Sequence, residues 1–358
     1  MRTRLTRVAA LAAVLVALVA ALAPAGASAF EKAVWGPLTY AGVNQFPLYH
    51  RLGVRIYQTE VDWYAIAPHK PAHPALPSDP AYRWPAMLGK EIAAAKRFGM
   101  RVLFEVGNAP AWANGGHGGP GWAPKNPADY AAFIRAVSRR YPTVHMWMIW
   151  GEPNRKGDFR PEVPAKYTQT RLTGAQQRAP HLYARILDDA YGALKSLNRG
   201  NVVIGGDTYT AGLIDPQQWI ANLVLPNGRR PRMDMYGHNP FSYTVPLFGA
   251  KPSSYGEVQF SDLPHLEGWT KTYLGHHMPL FLSEFCVPTH VDQTFNFYVS
   301  PPSVAARWVK DALVTARRSG YVAALGWVNV HDRLPISSCG LIQQNGTRKP
   351  DFYAFANN

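Results

Sequence analysis

Acidic side chains are in short supply in this chain: 23 Asp and Glu face 37 Lys and Arg, for a formal net charge of +14. Cysteine is scarcer still, with two residues in 358. So few thiols exclude a disulfide-stapled miniature scaffold and a multi-cysteine metal module. Several chemical signatures are missing too. There is no His-Glu-x-x-His, and His276-His277, His290 and His331 lack zinc-site spacing, so no metal is expected. No Gly-x-Ser-x-Gly elbow occurs, which disfavours an α/β-hydrolase esterase. Gly115-Gly116-His117-Gly118-Gly119 lacks the Lys-Ser/Thr ending of a phosphate loop and reads as a flexible cleft wall, so no cofactor is expected. The Lys and Arg residues are scattered without a nucleic-acid module. Their excess therefore reads as solubility with weak adhesion to anionic wall polymers, and no nucleic-acid partner is expected.

Long apolar runs are absent except at the start. Arg2, Arg4 and Arg7 precede an apolar stretch from Ala9 to Ala23, and Ala27-Ser28-Ala29 resembles a small-residue cleavage site. The stretch is too short for a comfortable membrane span, so residues 1–29 read as a signal peptide, with an uncleaved anchor as the alternative. Cleavage would lower the formal charge from +14 to +11 and leave 30–358 as an exported, secreted chain with no transmembrane segment. Export permits oxidation, which favours a Cys286–Cys339 disulfide over two buried thiols.

Strand and helix patterns then alternate evenly to the C-terminus, with no linker or repeat. Strands are expected at 33–40, 54–60, 101–106, 144–150, 202–206, 233–238, 279–283 and 322–328. Helical runs are expected at 46–52, 86–98, 127–141, 181–197, 216–225, 261–274 and 303–319, with Asn126 capping the third and Gly320 closing the last. This order predicts an α/β fold, a single (β/α)8 TIM barrel over 30–358. The competing doubly wound sheet would normally carry a glycine fingerprint after its first strand, and none is present. The segments 108–126, 239–260 and 287–302 are long and follow strands, where a barrel builds its cleft.

Glu152 and Glu284 each end a short apolar run and are followed by loop. A carboxylate inside a strand's apolar interior is costly, whereas one at its exit faces the cleft. Two carboxylates so delivered are what a glycosidase needs, one as acid and one as nucleophile. The nucleophile must stay ionised. Arg55 is the candidate cation for that purpose, and His238 and Tyr243 are candidate donors to Glu284. Trp63, Trp112, Trp122, Trp150, Tyr209, Phe241 and Trp327 fall at or beyond strand ends and suit sugar faces as well as cores. Trp327 is the expected sugar platform. Glu60 and Asp62 read as structural or peripheral contacts, and Glu105 receives no role.

Trp150-Gly151-Glu152-Pro153-Asn154 resembles the acid/base signature on strand four of clan A glycoside hydrolases. Leu282-Ser283-Glu284-Phe285 resembles that clan's strand-seven nucleophile segment. Gly53-Val54-Arg55, and the run from Gly340-Leu341-Ile342 through Lys349-Pro350-Asp351 to Phe355, are similar to its cellulase-like and family 39-like members. The resemblance implies Glu152 as acid/base and Glu284 as nucleophile, with net retention of anomeric configuration. It departs at Gly151, where the clan has an Asn that hydrogen-bonds the sugar 2-hydroxyl. Either the substrate's 2-position is different or is read by another group, such as Asn108 or Asn154, or the chain is no longer a good catalyst. The expected partner is a polysaccharide or oligosaccharide of open identity. A non-catalytic carbohydrate-binding barrel and a wall-remodelling transglycosylase remain the alternatives.

Overall fold

The computed structural model describes residues 30–169, 171–248, 256–295 and 299–358; the expected leader lies outside them. Eight parallel strands close into a barrel. They are β1 (Glu31–Trp35), β2 (Val54–Asp62), β3 (Arg101–Gly107), β4 (Met146–Ile149), β5 (Val202–Tyr209), β6 (Met235–Asn239), β7 (Leu280–Phe285) and β8 (Val322–Trp327). Each pairs with its sequence neighbours, and β1 pairs with both β2 and β8 to close the ring. Between them run the helices α1 (Phe46–Arg51), α2 (Ala86–Arg97), α3 (Pro127–Arg140), α4 (Gly174–Leu197), α5 (Pro216–Ala221), α6 (Leu263–Trp269) and α7 (Pro302–Ser319), and α8 (Pro350–Asn357) ends the chain.

The barrel interior changes character from bottom to top. Ala33, Ile56, Leu103, Met148, Ile204, Phe281 and Ala324 form one buried apolar cluster inside the ring. Side chains two residues further along a strand share its face. Two steps above Ile56, Leu103, Phe281 and Ala324 stand Gln58, Glu105, Ser283 and Gly326. Gln58 Nε2 donates to Ser283 O at 3.0 Å and Ser283 Oγ donates to Gln58 Oε1 at 3.2 Å, across the barrel between strands that are not neighbours. A Cβ on Gly326 would lie 2.0 Å from Ser283 O, so this crossing requires glycine there. The interior is thus sealed by hydrocarbon below and lined with polar groups where the strands exit.

Among the boundaries that differ from the sequence reading, two have a clear local cause. The first strand stops at Trp35 rather than continuing to residue 40, because Ala41 (φ 47°) and Gly42 (φ 78°) turn Thr39–Tyr40 back on Val43–Asn44 as a small antiparallel hairpin. Helix α4 starts at Gly174, ahead of the expected 181, with Pro180 inside it. Thr173 and Gln176 form a capping box, the Gln176 side chain accepting from Thr173 N at 2.9 Å, and this fixes the start upstream of the proline.

Cys286 and Cys339 are disulfide-bonded, joining the segments that follow the adjacent strands β7 and β8. Close by, Lys349 is 2% exposed and donates to Asp332 Oδ1 at 2.7 Å, Thr289 Oγ1 at 2.8 Å and Ser338 O at 2.9 Å. Lys349→Ala would strand the 1%-exposed Asp332 without its cation. Loss of about 3–5 kcal/mol is expected in urea unfolding, against little change for an exposed lysine such as Lys90. Among the described residues no helix is long and apolar enough to cross a membrane.

Candidate active site

Strand exits deliver both glutamates to one cleft of about 420 Å³. Glu152 follows β4 and Glu284 lies in β7. Asn239, the last residue of β6 and 1% exposed, joins them. Its Nδ2 donates to Glu152 Oε1 at 2.9 Å, and its Oδ1 accepts from the Glu284 amide at 2.9 Å. One primary amide therefore sets the position of both carboxylate-bearing segments. Asn239→Ala should lower kcat by about 10²-fold with a smaller change in KM, since mispositioning near the reacting atoms is costly. Steady-state kinetics on any substrate the protein turns over would check this, and an unchanged kcat would contradict it.

The backbone is strained at the same place. Five non-glycine residues in the described chain have positive φ, and four of them line this cleft: Asn108 (65°), Trp150 (67°), Glu152 (43°) and Asp207 (41°). Each such residue costs about 1–3 kcal/mol, and such strain clusters at functional sites. Asp207 is brought in by a register shift between Gly205 and Thr208 in the β5–β6 pairing.

Burial raises the pKa of both glutamates. For Glu284, burial first and the Glu152 charge second push it up to about 8, opposed by Arg155. For Glu152 burial also leads, but Arg155 and the Asn239 amide pull it back. Arg155 Nη1 lies 2.8 Å from Glu152 Oε2 and 3.5 Å from Asp158 Oδ2, and its guanidinium stands 5.2 Å from the centre of the Tyr209 ring. The pair thus favours holding a proton near neutral pH, biased toward Glu284. Burial also raises Glu105 well above the carboxylate range, reinforced by Asp207, Glu284, Glu60 and Glu152.

Several sequence expectations are corrected. Arg55 stands exposed at the start of β2, the end of the barrel opposite the cleft; the cation at the glutamates is Arg155. His238 is fully buried, bonded to Thr208 Oγ1 at 2.9 Å and Val258 O at 2.9 Å, and burial lowers its pKa to about 4. It makes no hydrogen bond to Glu284; its neighbour Asn239 makes that contact. The Tyr243 hydroxyl donates to Glu257. Trp327 is 1% exposed, donates to Cys339 O at 2.9 Å and packs on Phe285 and Phe355, so it is core rather than platform. Asn154, 2% exposed, accepts from Tyr209 N at 2.7 Å and donates to Ile214 O at 3.1 Å, clamping the loop after β5 instead of facing the cleft.

Other expected residues do reach the cleft. Asn108 lines it and donates to Glu60 Oε1 at 2.6 Å, and Trp150 forms part of its wall with the indole donating to Asp158 O at 2.6 Å. Trp112 donates to Ala67 O at 2.8 Å and packs edge-on against the buried Trp63, outside the cleft lining. Trp122 stacks on His117 beside a separate groove of about 1060 Å³ whose wall, among the described residues, carries no carboxylate. On the far side of Glu152 and Glu284 a smaller chamber of about 180 Å³ is lined by Tyr209, Phe241 and Phe295. The glutamates stand at the junction between a carboxylate-rich lobe and an aromatic one.

No family model matches the sequence, and no curated protein matches it. Solved structures do. A family 39 glycoside hydrolase from the gut symbiont Bacteroides cellulosilyticus WH2 superposes with TM-score 0.63 at 17% identity, over 93% of this chain and 63% of that one. This chain shares that structure's (β/α)8 barrel fold. A monomeric beta-xylosidase from Caulobacter crescentus CB15 gives TM-score 0.61 at 17% identity, over 93% and 68% of the two chains. A family 1 β-glucosidase from Thermotoga maritima gives 0.56 at 13% identity, over 87% and 84%. The chain thus spans just under two thirds of the first of these structures, and the likeness establishes the barrel architecture.

Proposed function

We propose that this protein is a secreted retaining glycoside hydrolase acting on a polysaccharide or oligosaccharide. The observation that carries the reading is the pair Glu152 and Glu284, delivered by β4 and β7 into one buried cleft and bridged by Asn239. In the first step a Glu284 carboxylate oxygen attacks the anomeric carbon. The glycosidic C–O bond breaks, and Glu152 gives its proton to the departing oxygen. In the second, Glu152 takes a proton from water, whose oxygen attacks the same carbon and releases Glu284.

The starting state needs one proton on the pair, and burial keeps one there near neutral pH. As positive charge develops on the sugar beside Glu284, the ionised form of Glu284 is favoured and the shared proton moves to Glu152. Tyr209 and Phe241 offer ring faces to the leaving portion of the chain, which supports an extended substrate over a small glycoside.

The test is the anomeric configuration of freshly released sugar, followed by proton NMR before mutarotation. The configuration of the substrate should be kept. Inversion would overturn the double displacement, and no release from any glycan would overturn the hydrolase reading.

A further inference from the structure

We propose that the cleft selects an amino sugar bearing a free ammonium group, held by Glu105 and Asp207, with Glu105 occupying the space that Gly151 leaves open. This rests on the glycoside hydrolase reading and names its substrate class. A Cβ on Gly151 would lie 2.5 Å from Glu105 Oε1 and 2.8 Å from its Cδ. Any side chain at 151 would displace that carboxylate, so the glycine and Glu105 form a matched pair. Glu105 is partly exposed, lines the cleft and makes no hydrogen bond or ion pair to the described residues.

Asp207 supplies an independent observation. It is 1% exposed, lines the same cleft, and neither of its carboxylate oxygens has a hydrogen-bond partner among the described residues. The Glu152 amide faces it and favours its ionised form, outside the geometry of a full hydrogen bond. A buried carboxylate without a donor is costly and is held here on strained backbone, φ 41°. Asp207 is therefore free to accept a donor that a ligand brings.

The charge balance decides which donor. Among the described residues, Glu60, Glu105, Glu152, Asp158, Asp207 and Glu284 line the cleft, against Arg155 and Arg160. Arg155 is engaged by Glu152 and Asp158, and Arg160 stands over the Trp122 ring at 5.8 Å. The chain as a whole carries +14, so this acidity is local. A uronate would be repelled. An N-acetyl group brings one N–H and turns a carbonyl oxygen toward carboxylates. An ammonium brings three donors and the opposite charge. Burial first holds both groups well above the ordinary carboxylate range, reinforced for Glu105 by Asp207 and for Asp207 by Glu152 and Glu284, so a bound ammonium displaces a proton.

The test is calorimetric titration of the protein with trisaccharides of glucosamine and of galactosamine, their N-acetylated forms, and cellotriose. Each is run in two buffers of different ionisation enthalpy. At least one amino trisaccharide should bind about tenfold or more tightly than cellotriose and release a proton on binding. Glu105→Gln should remove both the preference and the proton release, and Gly151→Ala should do the same by pushing Glu105 aside. Equal or weaker binding of both amino trisaccharides, or a preference that survives Glu105→Gln and Asp207→Asn, would overturn the proposal. Glutamate-dependent cleavage of neutral glycans without amino preference would remove it and leave the hydrolase standing. Amine-selective binding without cleavage of any glycan would do the reverse.

Discussion

Glu284→Ala should abolish hydrolysis, and Glu152→Ala should slow it by about 10²–10⁴-fold on an unactivated glycan. The two losses differ in kind. On an aryl glycoside whose leaving group needs no proton, the Glu152 variant still forms the covalent intermediate and stalls because no base activates water. Azide needs no base, so it attacks the intermediate and restores turnover, giving a glycosyl azide of retained configuration. In the Glu284 variant no intermediate forms. Azide then occupies the cavity left by the carboxylate, attacks the sugar directly and gives the inverted product. Configuration of the two azides assigns the roles without reference to any relative. The experiment bears most on Glu284, because burial and the Glu152 charge bias the shared proton toward it. Exchanged configurations would show that Glu152 is the nucleophile.

The second large effect is on stability, and its sign follows from the same burial. The folded-state pKa of Glu284, about 8, lies above its ordinary 4.5, so the native state favours the protonated form. That contribution is full below about pH 4.5 and is lost as pH rises to about 8. Each unit is worth about 1.4 kcal/mol, and sharing the proton with Glu152 reduces the total, leaving on the order of 2–4 kcal/mol at pH 8–9. Glu284→Gln removes the ionisable group. It should unfold several degrees above wild type at pH 9 and within a degree or so of it at pH 4. Thermal unfolding across that range checks both ends. A variant less stable than wild type at pH 9 would contradict the account. A gain would mark Glu284 as a group kept at the expense of stability, as expected of a reacting residue.

The fold was legible because eight apolar runs alternate with helical periods, and this pattern survives errors at single boundaries. The two glutamates were legible because strand exits are where a barrel can expose a carboxylate. The residues around them followed a finer rule that motif reading passed over. On β8 the inward face carries Ala324 and Gly326, so Trp327 must point outward into the helical shell. On β6, His238 and Asn239 face opposite ways, and it is Asn239 that turns to the glutamates. On β2, Ile56 points inward and Arg55 does not. Strand parity, anchored on the buried apolar cluster, would have sorted all three.

Two features lay beyond parity. Asp207 reaches the cleft through a register shift beside Gly206 (φ 89°); glycine inside a strand signals an irregularity but not which side chain it turns inward. Arg155 sits three residues past Glu152 in a loop, where its direction depends on Asp158 and the Tyr209 ring. Gly151 was legible as a departure, but its meaning required seeing that Glu105 stands where a side chain would be.

The most direct measurement of the central claim is reducing-sugar release from a panel of plant, fungal and bacterial wall polysaccharides that includes de-acetylated amino-sugar polymers. Wild type, Glu152→Gln and Glu284→Gln would be compared under identical conditions. The account predicts release by wild type from at least one polymer, none by Glu284→Gln, and release slowed by about 10²–10⁴-fold in Glu152→Gln. Equal release by wild type and both variants, or silence from wild type on every polymer, would contradict it.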